Sequence, residues 1–211
     1  MIDLALLASV GVPCCGVLAV AGLVAVALLN QRRRAGRFAH AWAPFAAQVG
    51  GRLIPGGIGR STSVHWAEAG ASAVLESYQR SGGSSDRTPY TRLRLLPGRQ
   101  LPTFALRSRP TREPGLIVQD SLNPPAATGQ PALDDAFVIS QGDPAVVGRA
   151  FDADLIARLR NQQTDTTLWL ASAVRAGQPG LEIEERGDVN DPARLLAWRD
   201  ILVRLYANVS Q

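Results

Sequence analysis

The sequence predicts an α+β fold: an N-terminal transmembrane helix, then one domain with a mostly antiparallel sheet covered by two or three helices. Three observations carry this. Leu4 to Leu29 is 26 residues long and holds no charge. Short runs that alternate apolar and polar residues, broken by turn-forming residues, recur from Ser63 to Glu185. Two amphipathic stretches open on the same pair, Asp143-Pro144 and Asp191-Pro192.

An α-helix rises about 1.5 Å per residue, so the uncharged run extends roughly 39 Å. A bilayer's hydrocarbon core is about 30 Å thick. One tilted span fits, with Pro13 marking an early bend. Arg32, Arg33, Arg34 and Arg37 follow directly, while the N-terminal flank carries only Asp3. The positive-inside rule then places the N-terminus outside and the rest in the cytoplasm, at the inner (plasma) membrane. A cleavable signal needs a basic start, and Met-Ile-Asp has none. Ala19-Val20-Ala21 and Ala25-Val26-Ala27 do fit the cleavage pattern, so cleavage is the alternative to a signal-anchor. A lipid-acceptor cysteine needs a small residue before it. Cys14 follows Pro13 and Cys15 follows Cys14. The expected division is an anchor at residues 1–30, a basic juxtamembrane linker at 31–37 and an α+β domain at 38–211.

All 22 basic residues are arginine. With abundant Ala, Gly and Pro this reads as the coding bias of a GC-rich, bacterial genome, not as selection for guanidinium chemistry. Four of the 22 sit at the membrane boundary, leaving 18 arginines against 17 acidic residues from Phe38 onward. A nucleic-acid footprint needs clustered basic charge, and the one cluster is the topological one, so no nucleic-acid partner is expected. Both cysteines lie in the apolar run, which excludes disulfides, thiolate zinc sites and cysteine nucleophiles from the domain.

Phe38, Trp42, Phe45 and Val49 form a helical stripe that ends at Gly50-Gly51. Strands are expected at Ser63–Glu68, Ala71–Gln79, Thr91–Leu96, Thr103–Arg107, Gly115–Gln119 and Ala136–Ser140, with Ser81–Ser85 a hairpin tip and Asn123–Pro131 a loop. In TRLRLL, Arg92 and Arg94 alternate with Leu93 and Leu95. One helix is expected over AVVGRAFDADLIARL, aligning Val147, Phe151, Leu155 and Leu159. A last one is expected over ARLLAWRDILVRLYANV. Each has an Asp N-cap followed by Pro. Between them Thr167–Val174 and Gly180–Glu185 read as a hairpin, with Glu182 and Glu184 on its solvent side. Trp66, Trp169 and Trp198 fall on apolar phases and read as core.

Chemical motifs are absent. Gly51 to Gly56 has the first spacing of a P-loop, but Gly57 and Ile58 stand where Lys and Ser or Thr belong. No G-x-S-x-G occurs. His40 and His65 lack ligand-spaced partners, so no metal or other cofactor is expected.

The run Leu133 to Leu159, LDDAFVISQGDPAVVGRAFDADLIARL, together with FAAQVGGRLIPG, resembles uncharacterised bacterial membrane-anchored domains of unknown function. The resemblance covers about a quarter of the chain and implies a tethered α+β domain, with no functional residue carried over. The expected role is an interaction or scaffolding module with a protein partner, tethered in the lipid bilayer. Two alternatives are a membrane-tethered hydrolase using Asp134, Asp135 and His65, and an anionic-lipid-binding module at the juxtamembrane arginines.

Overall fold

The computed structural model describes residues 4–57, 60–81, 87–109, 126–164, 167–175 and 178–210. The side chains of residues 4–19, and of 27, 28, 31, 34, 81, 87, 173–175 and 178, lie outside that description. So does the strand expected at Gly115–Gln119.

Helix α1 runs from Leu4 to Gln48. The basic segment of residues 31–37 is helical and continuous with the rest of α1, in keeping with the strong helix propensity of Arg and Ala. Gly50 ends it at φ +62°, and the Gly51 N–H reaches back to the Ala46 carbonyl at 2.8 Å, a glycine-assisted stop. Among the described residues no helix is long and apolar enough to cross a membrane.

The strands are β1 (Arg52–Ile54), β2 (Ser63–Glu68), β3 (Ala71–Ser81), β4 (Arg87–Leu96), β5 (Phe104–Ser108), β6 (Phe137–Gln141), β7 (Leu168–Arg175) and β8 (Gln178–Arg186). Every pairing is antiparallel. The order is β1-β2-β3-β4-β8-β7-β5-β6, so the β7–β8 hairpin lies between β4 and β5. The remaining helices are α2 (Pro131–Ala136), α3 (Pro144–Ala150), α4 (Ala153–Arg160) and α5 (Pro192–Val209). The domain is α+β, as its sequence predicts.

One core cluster joins every helix to a single phase of the strands. Phe38, Trp42 and Phe45 of α1 and Leu195, Trp198 and Leu202 of α5 share it with Val64, Leu75, Leu93, Leu106, Leu170 and Ile183. Val74 and Val138 are buried but lie outside that cluster, because they belong to the other phase. The helices therefore cover one face of the sheet. The Trp42 indole N–H donates to the Val189 carbonyl at 3.0 Å. The Val189 N–H in turn donates to Thr91 Oγ1 at 2.9 Å. These two bonds fasten α1 to the β8–α5 connection.

The structure corrects three expectations. The single helix over Ala145–Leu159 is two. Phe151 is extended (φ −109°, ψ 100°), and the Asp152 carboxylate accepts the Leu155 N–H at 2.8 Å to begin α4. A short acceptor side chain competes with the helical backbone, and here the cap wins. Phe151 stays in the core, edge-on to Phe104 at 5.9 Å, so the apolar spacing survives the break. The second correction is α2, read from sequence as a loop end and a strand start. Pro131 opens it with its fixed φ. Third, Trp169 is not core. It sits on the other phase of β7 and is 37% exposed.

Candidate functional site

The face of the sheet turned away from the helices carries a charged lattice. Strand alternation places it there. Leu93 and Leu95 point to the core, so Arg92 and Arg94 point away. Leu181 and Ile183 point to the core, so Glu182 and Glu184 point away. Register then makes neighbours of them. Glu76 lies opposite Arg92, Arg92 opposite Glu184, Glu184 opposite Trp169 and Trp169 opposite Arg107. In the adjoining row Arg94 lies opposite Glu182.

Charges alternate along these rows and pair across them. Arg92 reaches Glu76 through Nη2 at 2.8 Å and Nε at 3.1 Å, and lies 3.7 Å from Glu182. Arg94 joins the same Glu76 oxygen at 2.8 Å. Arg80 holds Glu184 at 2.8 Å, and the Tyr78 hydroxyl donates to the other Glu184 oxygen. Tyr78 and Tyr90 stack at 5.6 Å. The Arg80 guanidinium lies 4.6 Å from the Tyr90 ring centre and that of Arg92 4.6 Å from the Tyr78 centre.

This overturns the placing of Glu182 and Glu184 on a solvated face. Their side chains are 7% and 3% exposed. The phase was read correctly. Arginines from β3 and β4 and two tyrosines close over the carboxylates. Burial works against the charge of Arg80. The Glu184 carboxylate and the Tyr78 and Tyr90 hydroxyls together outweigh that, and the Arg80 pKa is raised above the ordinary arginine value. Glu185, on the core phase at the strand end, is buried too, with Arg194 and Thr164 as partners.

The Glu76 and Glu184 carboxylates are each engaged by guanidinium or hydroxyl donors within the lattice. Among the described residues no group of three or more potential ligands is placed to hold a metal. The face is laced with paired charge and carries Arg, Tyr and Trp, residue types enriched in binding hot spots.

The residues singled out from sequence fall elsewhere. Arg32, Arg33 and Arg37 are exposed on α1. The Arg34 side chain lies outside the described residues. His65 is exposed on β2 beside Ser63. The Asp134 carboxylate accepts from the Thr128 N–H at 2.9 Å and its hydroxyl at 2.8 Å, holding the turn before α2. Asp135 is exposed on α2. Strand β2 and the α2–β6 unit are separated by six strand positions, roughly 29 Å at the usual spacing. No carboxylate–histidine arrangement is assembled from these three.

Sequence reasoning missed the lattice although its signal was present. Arginine at every second position of TRLRLL and glutamate at every second position of GLEIEE are complementary ladders waiting for adjacency. Comparison with protein-family models, with curated proteins and with solved structures finds no match.

Proposed function

We propose that the chain is a single-pass membrane protein. Its cytoplasmic α+β domain is an interaction module that docks a protein partner on the charged face of the sheet. The observation that carries the tether is the continuity of α1. One helix bears the uncharged run, then the arginines, then Phe38, Trp42 and Phe45 of the domain core. Val20, Leu23, Val24, Val26 and Leu29 are all exposed, and at about 100° per residue they spread over about 220° of the helix, with the exposed Ala21 and Ala25 on the remainder. A helix apolar all round needs an apolar surrounding.

The docking face rests on its chemistry. It brings together Trp169, two stacked tyrosines and paired arginines, and no described helix lies over it.

Two measurements test the two halves. After an alkaline carbonate wash the full chain remains with the membrane and a C-terminal tag is reached by protease only from the cytoplasmic side. Release by carbonate, or cleavage from outside, sinks the tether or its orientation. A photo-reactive residue in place of Trp169 gives a discrete adduct in cells, while one in place of the exposed Arg158 on α4 does not. Adducts only from Arg158 sink the docking face.

A further inference from the structure

The path of α1 across the sheet tells which end of the domain approaches the membrane. Near its C-terminus, Phe45 packs edge-on against Trp66 at 5.4 Å. Trp66 is in register with Ala73, and Ala73 with Leu95. One turn earlier, Trp42 bonds the Val189 carbonyl, and Val189 bonds Thr91, which is in register with Ser77. Going toward its N-terminus, the helix moves from the Ala73–Leu95 row to the Ser77–Thr91 row. That is four residues nearer the end where Ser81 pairs with Arg87. Among the described side chains Phe38 is the last buried one on the way out. From Phe38 to Leu29 the helix covers roughly 14 Å.

Resting on the membrane span proposed above, we infer that the Ser81–Arg87 end of the sheet faces the bilayer and binds anionic phospholipid headgroups. Arginine predominates there, although the exposed Asp188 lies two residues beyond Arg186. Arg186 ends β8 on the exposed surface and makes no ion pair among the described residues. Arg80 has a side chain 43% exposed beyond its bond to Glu184. Arg32, Arg33 and Arg37 project from the helix just before the domain begins. The continuous helix brings these five arginines toward the headgroup layer, whose surface potential acts over a Debye length of about 8 Å. The charged face of the sheet then stands upright from the membrane and remains open to a partner.

The test uses the full chain with Cys14 and Cys15 replaced by alanine, reconstituted in nanodiscs of phosphatidylcholine with or without phosphatidylglycerol. Single cysteines carry a fluorophore at Gln79→Cys, Ser72→Cys or Val24→Cys. Gln79 and Ser72 are both exposed on β3, roughly 23 Å apart along the strand. Headgroup-labelled lipid is expected to quench the probe at 79 and not the one at 72. Phosphatidylglycerol is expected to increase that quenching, and Arg186→Gln to cut the increase by up to about fivefold, the contribution of one arginine near an anionic leaflet. Equal quenching at 79 and 72, or stronger quenching at 72, overturns the inference. So does quenching at 79 that ignores both phosphatidylglycerol and Arg186→Gln. The Val24 probe separates the two levels. If acyl-labelled lipid fails to quench it, the membrane span itself falls. If it is quenched while 79 is not, only the orientation falls.

Discussion

The two faces of this sheet are built from the same strands and solve burial in opposite ways. On one, Leu75, Leu93, Leu170 and Ile183 meet Trp42, Phe45 and Trp198 in a single cluster, held by area removed from water. On the other, Glu76, Arg92, Arg94, Glu182 and Glu184 shield one another. Ion pairing of this kind contributes little net stability, because desolvation offsets much of the Coulomb gain. The apolar face is where the fold is held, and the charged face is where specificity is available. The difference can be measured.

The largest effect is expected on the apolar face. Trp42→Ala removes a fully buried indole and the bond that ties α1 to Val189. It should cost about 3–5 kcal/mol, read as a fall in the urea midpoint of the detergent-solubilised chain. A cost below 1 kcal/mol would mean that α1 is not integral to the core. Next comes the charged face. Glu184→Gln leaves Arg80 without its counter-charge. Arg80 is partly exposed and turns to water, so about 1–3 kcal/mol is expected. Replacing Glu76, Arg92, Arg94 and Glu182 together by apolar residues of similar volume should leave stability unchanged or raised while abolishing the Trp169-site adduct. A large loss of stability in that fourfold variant would erase the contrast between the faces.

Most of the apolar face was legible in the sequence. Its period-2 and period-4 spacings and its two Asp-Pro helix starts are local signals. The lattice was not, because it depends on β4 lying beside β8, strands far apart in the chain with the β7–β8 hairpin folded in from beyond. Arg92 and Glu184 are each unremarkable until register sets them opposite. The break at Phe151 was hidden for a different reason. The apolar spacing continues through it, and periodicity outvoted the capping signal of Asp152.

That cap gives a further prediction. Asp152→Ala should cost about 1 kcal/mol, with part of the effect dependent on pH. The Leu155 N–H, together with Asn208 and Arg204 and against the opposing effect of burial, holds the Asp152 pKa below its ordinary 3.8. Glu68, at the rim of the helix face, is held below 4.5 chiefly by Arg199, with burial opposing and the Trp66 N–H assisting. A depressed folded pKa stabilises above the unfolded value, and that contribution is lost as pH falls through the folded one. Stability should therefore decline from about pH 4.5 downward, and Glu68→Gln combined with Asp152→Asn should flatten that acid limb. An unchanged acid limb would assign the decline to other carboxylates.

The smallest effect tests how the faces are kept apart. Shifting a strand by one residue exchanges every side chain between faces, so the β2–β3 register decides that Leu75 is core and Glu76 is lattice. The turn that sets it holds Ala69 at φ +49° and Gly70 at φ +76°, two positive values in a two-residue hairpin loop, the type I′ pattern that favours Asn-Gly. Alanine is strained there and asparagine much less so. Ala69→Asn should stabilise by about 0.5–1 kcal/mol, seen as a small rise in the unfolding midpoint. It touches neither face, so the response of the Trp169-site adduct should not move. A loss of stability would show that the turn's strain is absent, and that the register is held by the two faces themselves.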